Sequence, residues 1–172
     1  MLDARTFRTL YRVSSLIAVI ALFWVAGCGG GDEVTGAGAP GAVLTDATAK
    51  VNGQSINGQT ISASQNVDGD MRFEACLLDS QGNPVQDHHV RVEYVTPGMG
   101  RMHSRGSFVL HDDGTHGDVT PHDGIYCYED AAGTYGCHGS DARQGDYHYD
   151  FCGVGPDNRE SNHIDVKVVL AP

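Results

Sequence analysis

Basic residues are scarce in this chain of 172 residues: 11 Lys+Arg stand against 22 Asp+Glu, a formal net charge of −11. Such a surface repels phosphate backbones and anionic head groups, so nucleic acid is not an expected partner, while a cation is. Long amphipathic helical patterns are missing as well, which argues against a helical domain. Familiar catalytic signatures are also absent. No Gly-x-Ser-x-Gly elbow occurs, because Gly53-Gln54-Ser55-Ile56-Asn57 fails at its last position. There is no His-Glu-x-x-His zinc motif and no phosphate-binding glycine loop. No two cysteines are spaced as Cys-x-x-Cys, which excludes a zinc knuckle and a haem attachment site. The expected role is therefore non-enzymatic.

What is present begins with one apolar run. Arg5, Arg8 and Arg12 precede an apolar stretch from about Leu16 to Val25, closed by Val25-Ala26-Gly27-Cys28. Residues 13–26 fall short of the about 20 apolar residues that a spanning helix needs, and they include Ser14 and Ser15. The pattern resembles a bacterial lipoprotein signal peptide. That resemblance implies cleavage before Cys28, diacylglycerol on its sulfur and a further acyl chain on its amine. Each buried methylene contributes about 0.8 kcal/mol, so two or more chains anchor stably to a membrane. Gly29 rather than Asp after the cysteine further implies the outer membrane, in a Gram-negative source. Residues 1–27 are thus read as signal peptide and 28–42 as lipidated cysteine and flexible Gly-rich tether. Residues 43–172 form one domain. The first 27 residues hold three Arg and one Asp, so the mature charge is −13.

Within the domain, short alternating segments are separated by Gly, Asn, Asp and Pro, the pattern of an all-β fold. Candidate strands lie near 43–51, 59–66, 70–78, 89–96, 106–111, 124–129, 146–153 and 162–170. Met71, Phe73, Ala75 and Leu77 share one face opposite Arg72 and Glu74. Val90, Val92 and Tyr94 oppose Arg91 and Glu93, and Tyr147, Tyr149 and Phe151 oppose His148 and Asp150. Asn52-Gly53 and Asn57-Gly58 are turn dipeptides. The segment Leu77-Leu78-Asp79-Ser80-Gln81-Gly82-Asn83-Pro84-Val85, followed by Val90-Arg91-Val92, resembles bacterial immunoglobulin-like repeats of the invasin kind. Gly145-Asp146-Tyr147-His148-Tyr149 and Ile164-Asp165-Val166-Lys167-Val168-Val169 look like their last two strands. The resemblance implies a single immunoglobulin-like, two-sheet antiparallel sandwich. Such a domain acts as a spacer or binding platform, here toward an envelope protein or polysaccharide, although fold alone does not fix function.

Four cysteines follow Cys28: Cys76, Cys127, Cys137 and Cys152. An even number in an exported chain predicts two disulfides. Cys76 and Cys152 fall on the polar side of their strands, which disfavours the through-core bond of antibody domains. The pairing is otherwise open.

The strongest local motif runs from Leu110 to Tyr126 and contains His111-Asp112-Asp113-Gly114, Gly117-Asp118 and His122-Asp123-Gly124. It resembles a segment of bacterial surface domains with immunoglobulin-like or fibronectin-like folds. Ca²⁺ takes six to eight oxygens from carboxylates and carbonyls on a bending backbone, and Asp112, Asp113, Asp118 and Asp123 are candidate ligands. The same side chains can instead cap backbone N–H groups and hold the loop without metal. A second cluster, Met99, Met102 and His103, with His88 and His89 as further candidates, offers soft ligands suited to Cu(I). It supports the alternative of a periplasmic copper-handling lipoprotein.

Overall fold

Alternation along the strands decides which faces meet. A computed structural model describes residues 41–62, 71–98, 103–131, 134–137 and 142–172, and contains no helix among them. The described residues form nine strands: β1 (Ala42–Val51), β2 (Gln54–Ser55), β3 (Thr60–Ser62), β4 (Met71–Asp79), β5 (His89–Pro97), β6 (His103–Leu110), β7 (Ile125–Asp130), β8 (Gly145–Val154) and β9 (Glu160–Ala171). They build a four-stranded sheet, β2-β1-β4-β7, facing a five-stranded sheet, β3-β9-β8-β5-β6. The order is that of an immunoglobulin sandwich. β1, β4 and β7 take the places of strands A, B and E, while β5, β8 and β9 take those of C, F and G. The expectation of a purely antiparallel sandwich is corrected at one edge, where β3 runs parallel to β9. β6 also starts earlier than expected, at His103, because its ladder with β5 continues to Pro97 whatever the side-chain pattern.

The core lies where the two inner faces interdigitate. Phe73 and Leu77 of β4, Val90 and Val92 of β5, and Tyr149 and Phe151 of β8 are fully buried. Phe73 sits 4.9 Å from the rings of both Phe108 and Tyr149. Near the start of β8, the Tyr147 hydroxyl accepts the Arg143 N–H (2.9 Å) and donates to the Arg143 carbonyl (2.7 Å). That is the tyrosine corner of the immunoglobulin fold, which ties a crossing loop to the strand that follows it. In antibody domains a disulfide cysteine stands two residues later, whereas here that position is Tyr149, packed edge-on against Phe73. An aromatic pair thus spans the two sheets where a disulfide otherwise would. Every described strand and every residue of the described core lies within residues 42–171.

The two expected disulfides do not form among the four domain cysteines: Cys127, Cys137 and Cys152 all carry free thiols. Their placement gives the reason. Cys76 pairs in register with Ile125, so Cys127 is its diagonal neighbour across β4 and β7. Diagonal positions are about 7–8 Å apart, while a disulfide needs Cβ atoms about 3.5–4.5 Å apart. Cys137 is buried within the core cluster. Cys152 lies on the outer face of the other sheet, in register with Arg91 and His163.

Two irregularities join the sheets. The β8–β9 ladder shifts between Cys152 and Val154, where one residue of β8, Gly153, opposes two of β9, Ser161 and Asn162. Ser161 and Asn162 consequently both turn inward and are buried. Asn162 reaches β1, its Oδ1 accepting the Leu44 N–H (2.8 Å) and its Nδ2 donating to the Leu44 carbonyl (2.9 Å). β1 has its own register shift beside this contact, between Leu44 and Asp46. Replacing Asn162 with Ala strands two buried backbone groups, for an expected loss of about 2–3 kcal/mol in urea denaturation. A loss below about 0.5 kcal/mol would show that water satisfies Leu44 equally well.

The registers also sort the loops by end. The start of β1, the β4–β5 and β8–β9 turns and the loop between β6 and β7 gather at one end of the sandwich, and the first three line a common cavity through Gly41, Val85 and Pro156. The end of β5, the start of β6 and the last residues of β9 lie at the opposite end.

Candidate functional site

The loop between β6 and β7 is pinned at its base by two backbone bonds between His111 and Cys127, both 2.8 Å. Its acidic residues fold it. Asp112 accepts the Asp123 N–H at one oxygen (3.2 Å) and the Gly124 N–H at the other (3.0 Å). Asp118 accepts the Gly114 (2.7 Å) and Thr120 (3.1 Å) N–H groups, and Asp123 that of Ile125 (2.9 Å). Gly124 has φ +85°, and a Cβ there would stand 3.2 Å from the Leu77 carbonyl, so the loop can pass β4 only with glycine.

These caps also bring charge together. One carboxylate oxygen from each of Asp112, Asp118 and Asp123 lies within 4.8 Å of the other two, and Asp118 is buried. At the effective dielectric of a protein surface, each such pair repels by about 3 kcal/mol. Burial pushes the Asp112 carboxyl above its ordinary range against three backbone donors, and the Asp123 charge adds to the rise. Capping and cation binding are compatible, since a carboxylate has about four lone-pair sites and each backbone N–H uses one. Asp113 is the exception among the four candidates. It is exposed, accepts from Thr115, and is held below the usual carboxylate range by that contact.

Histidines surround the loop. His111 and His116 stack at 4.0 Å, and with Asp113 they form a second convergent group. His88, His89, His111 and His122 line an open cavity of ≈ 260 Å³ at the same end. Burial, aided by Arg91, His88 and His111, lowers the pKa of His89 and favours its neutral form. The copper candidates are not assembled by the described residues: His103 is exposed at the far end, while Met99 and Met102 lie outside them. Cys28, the signal segment and the tether up to residue 40 also lie outside.

A third group could not be read from the sequence. Cys152, Glu160 and His163 each offer a ligand atom within 4.8 Å of the others. Glu160 and His163 are three residues apart, which on a regular strand means opposite faces. Only the β9 irregularity places them together. Burial raises the Cys137 and Cys152 thiols to about 11, and it raises Cys127 too despite the Arg72 guanidinium 3.0 Å from its sulfur. These thiols are therefore protonated near neutrality and lack the thiolate character of a nucleophile.

No protein-family model matches the chain, and no curated protein does either.

Proposed function

We propose that the chain is an exported, lipid-anchored protein of the bacterial cell envelope. Its immunoglobulin-like domain serves there as a non-enzymatic binding and structural module, and its acidic loop holds Ca²⁺. The observation that carries the calcium reading is the convergence of Asp112, Asp118 and Asp123 within 4.8 Å around a buried carboxylate. A hard cation offsets their mutual repulsion and draws its remaining oxygens from loop carbonyls and water. The resemblance of residues 1–28 to a lipoprotein signal supports attachment at Cys28, with the membrane reached through lipid rather than through the acidic surface. An envelope protein or polysaccharide is the partner class that fits such a platform.

The test is thermal melting of residues 41–172 in calcium and in chelator, with metal analysis of the purified domain. Calcium at a hundred times its Kd contributes about 2.7 kcal/mol, raising the midpoint by about 5–10 °C. Asp118→Asn gives up one of its two caps and so lowers the chelated midpoint, and it removes most of the difference between the calcium and chelator midpoints. An unchanged midpoint with no bound calcium assigns the carboxylates to capping alone and overturns the calcium reading. For the anchor, mass spectrometry of the mature N-terminus should find an acylated Cys28, and an unmodified one would sink it.

A further inference from the structure

The outer face of the five-stranded sheet carries a group of side chains separate from the acidic loop. Across three neighbouring strands, Arg91, Cys152 and His163 stand in one row, and Glu160 reaches the same row because of the irregularity that opposes one residue of β8 to two of β9. Irregularities of this kind re-aim side chains, and here the effect is to bring a carboxylate beside a thiol and an imidazole.

Each member is oriented by a second partner. The Asp150 carboxylate sits 2.8 Å from Nδ1 of His163 and fixes that nitrogen as the proton-bearing one. The remaining nitrogen, Nε2, lies 3.5 Å from Oε2 of Glu160. Arg91 takes the other oxygen of the same carboxylate, Oε1. One ligand atom each from His163, Glu160 and Cys152 lies within 4.8 Å of the other two. A tetrahedral zinc centre with ligand bonds of about 2.0–2.3 Å has ligands about 3.4–3.6 Å apart, close to the spacing of the nitrogen and oxygen here. The Cys152 thiol rests against the Gly153 carbonyl (3.5 Å). Carboxylate, imidazole and thiol together suit a borderline ion; Ca²⁺ would refuse the sulfur, and Cu(I) would gain little from the carboxylate. Metal-bound histidines commonly donate their other ring N–H to a carboxylate, as His163 does to Asp150.

We propose that Cys152, Glu160 and His163 form a Zn²⁺ site, with Asp150 as the positioning residue for His163 and solvent at the fourth position. Binding replaces the S–H bond of Cys152 with an S–Zn bond and releases the proton to water, with no change of oxidation state. A network of surface ion pairs alone would need no thiol in its midst and would bind no metal. The site shares no residue with the calcium loop, so either can fail without the other.

Cobalt is the probe, because thiolate ligation gives Co²⁺ a near-ultraviolet charge-transfer absorption and four-coordination intensifies its visible bands. The untagged, reduced domain (residues 41–172) is titrated with Co²⁺ and then with Zn²⁺. Expected is a charge-transfer band that saturates at one equivalent and is bleached by Zn²⁺. Cys152→Ser should abolish the band, whereas Cys127→Ser should keep it. Asp150→Asn should weaken Co²⁺ binding by about ten- to a hundredfold, with the band shape retained. Should Cys152→Ser fail to fold, His163→Ala, which alters an exposed ring, must weaken binding at least as much as Asp150→Asn. Absence of the band in the parent domain, its survival in folded Cys152→Ser, or unchanged affinity in His163→Ala overturns the proposal.

Discussion

Replacing Asp130 with asparagine is expected to cost the domain about 3–5 kcal/mol, although the substitution changes almost no volume. Asp130 is 2% exposed at the end of β7. One of its oxygens accepts the Thr134 N–H (2.8 Å), and the other accepts those of Tyr135 (2.7 Å) and Gly136 (2.8 Å). Hydrogen bonds to a charged acceptor contribute about 1.5–3 kcal/mol each. An amide can present only one oxygen to these three donors, and its NH₂ then faces at least one N–H with no acceptor between them. The damage would spread beyond the turn. The Tyr135 ring stacks on Phe108 at 4.5 Å, and its carbonyl accepts the hydroxyl of the fully buried Tyr149 (3.0 Å). Urea denaturation of Asp130→Asn measures the loss. A value below about 1 kcal/mol would mean that aromatic packing, rather than the carboxylate, holds residues 134–136 in place.

Phe73→Ala should be comparably severe, at about 3–5 kcal/mol, lowering the melting midpoint by about 10–20 °C. The ring is fully buried and packs against Phe108, Tyr149 and Phe151, so truncation removes contacts with three rings of the facing sheet at once. Antibody domains hold this position with a covalent bond between strands B and F. Here the bridge at this position is van der Waals contact. Phe73→Leu keeps much of the volume and should cost less than half as much. If both variants melt together within about 2 °C, the neighbouring rings have collapsed into the space, and the bridging role assigned to Phe73 is wrong.

How much of this was legible in the sequence depends on the length of the pattern that carries it. Alternation along β4, β5 and β8 placed the inward residues correctly, because one face of each strand is buried and a one-residue slip would expose all of them. Parity also placed Cys76 and Cys152 on the outer faces, as found. The disulfide expectation failed at the next step. Cysteine count and compartment say that bonds are permitted, but only the register says whether two Cβ atoms meet. Asn52-Gly53 gave its turn directly, with φ of 50° and 76°. Asn57-Gly58 turns as well, with Gly58 at φ 66° and the Gln59 N–H on the Ile56 carbonyl (3.1 Å), and the Asn57 side chain adds bonds to Ala47 and Ala49 on β1. The acidic loop was legible as residue types, and three of its four aspartates converge. Asp113 does not, since its neighbour Thr115 offers a nearer donor. The group around Cys152 was illegible, because a single inserted residue in β9 reverses the parity on which its assembly depends.

The positions of the two ends of the domain have a directional consequence. β1 enters at the end that carries the aspartate loop, and β9 leaves at the opposite end. A domain suspended from the segment before Gly41 therefore turns its aspartates back toward the point of suspension. The end of β5, the start of β6 and the last residues of β9 form the pole that it presents outward. A large partner arriving from beyond meets that outward pole first, and a small ion diffusing near the attachment reaches the other.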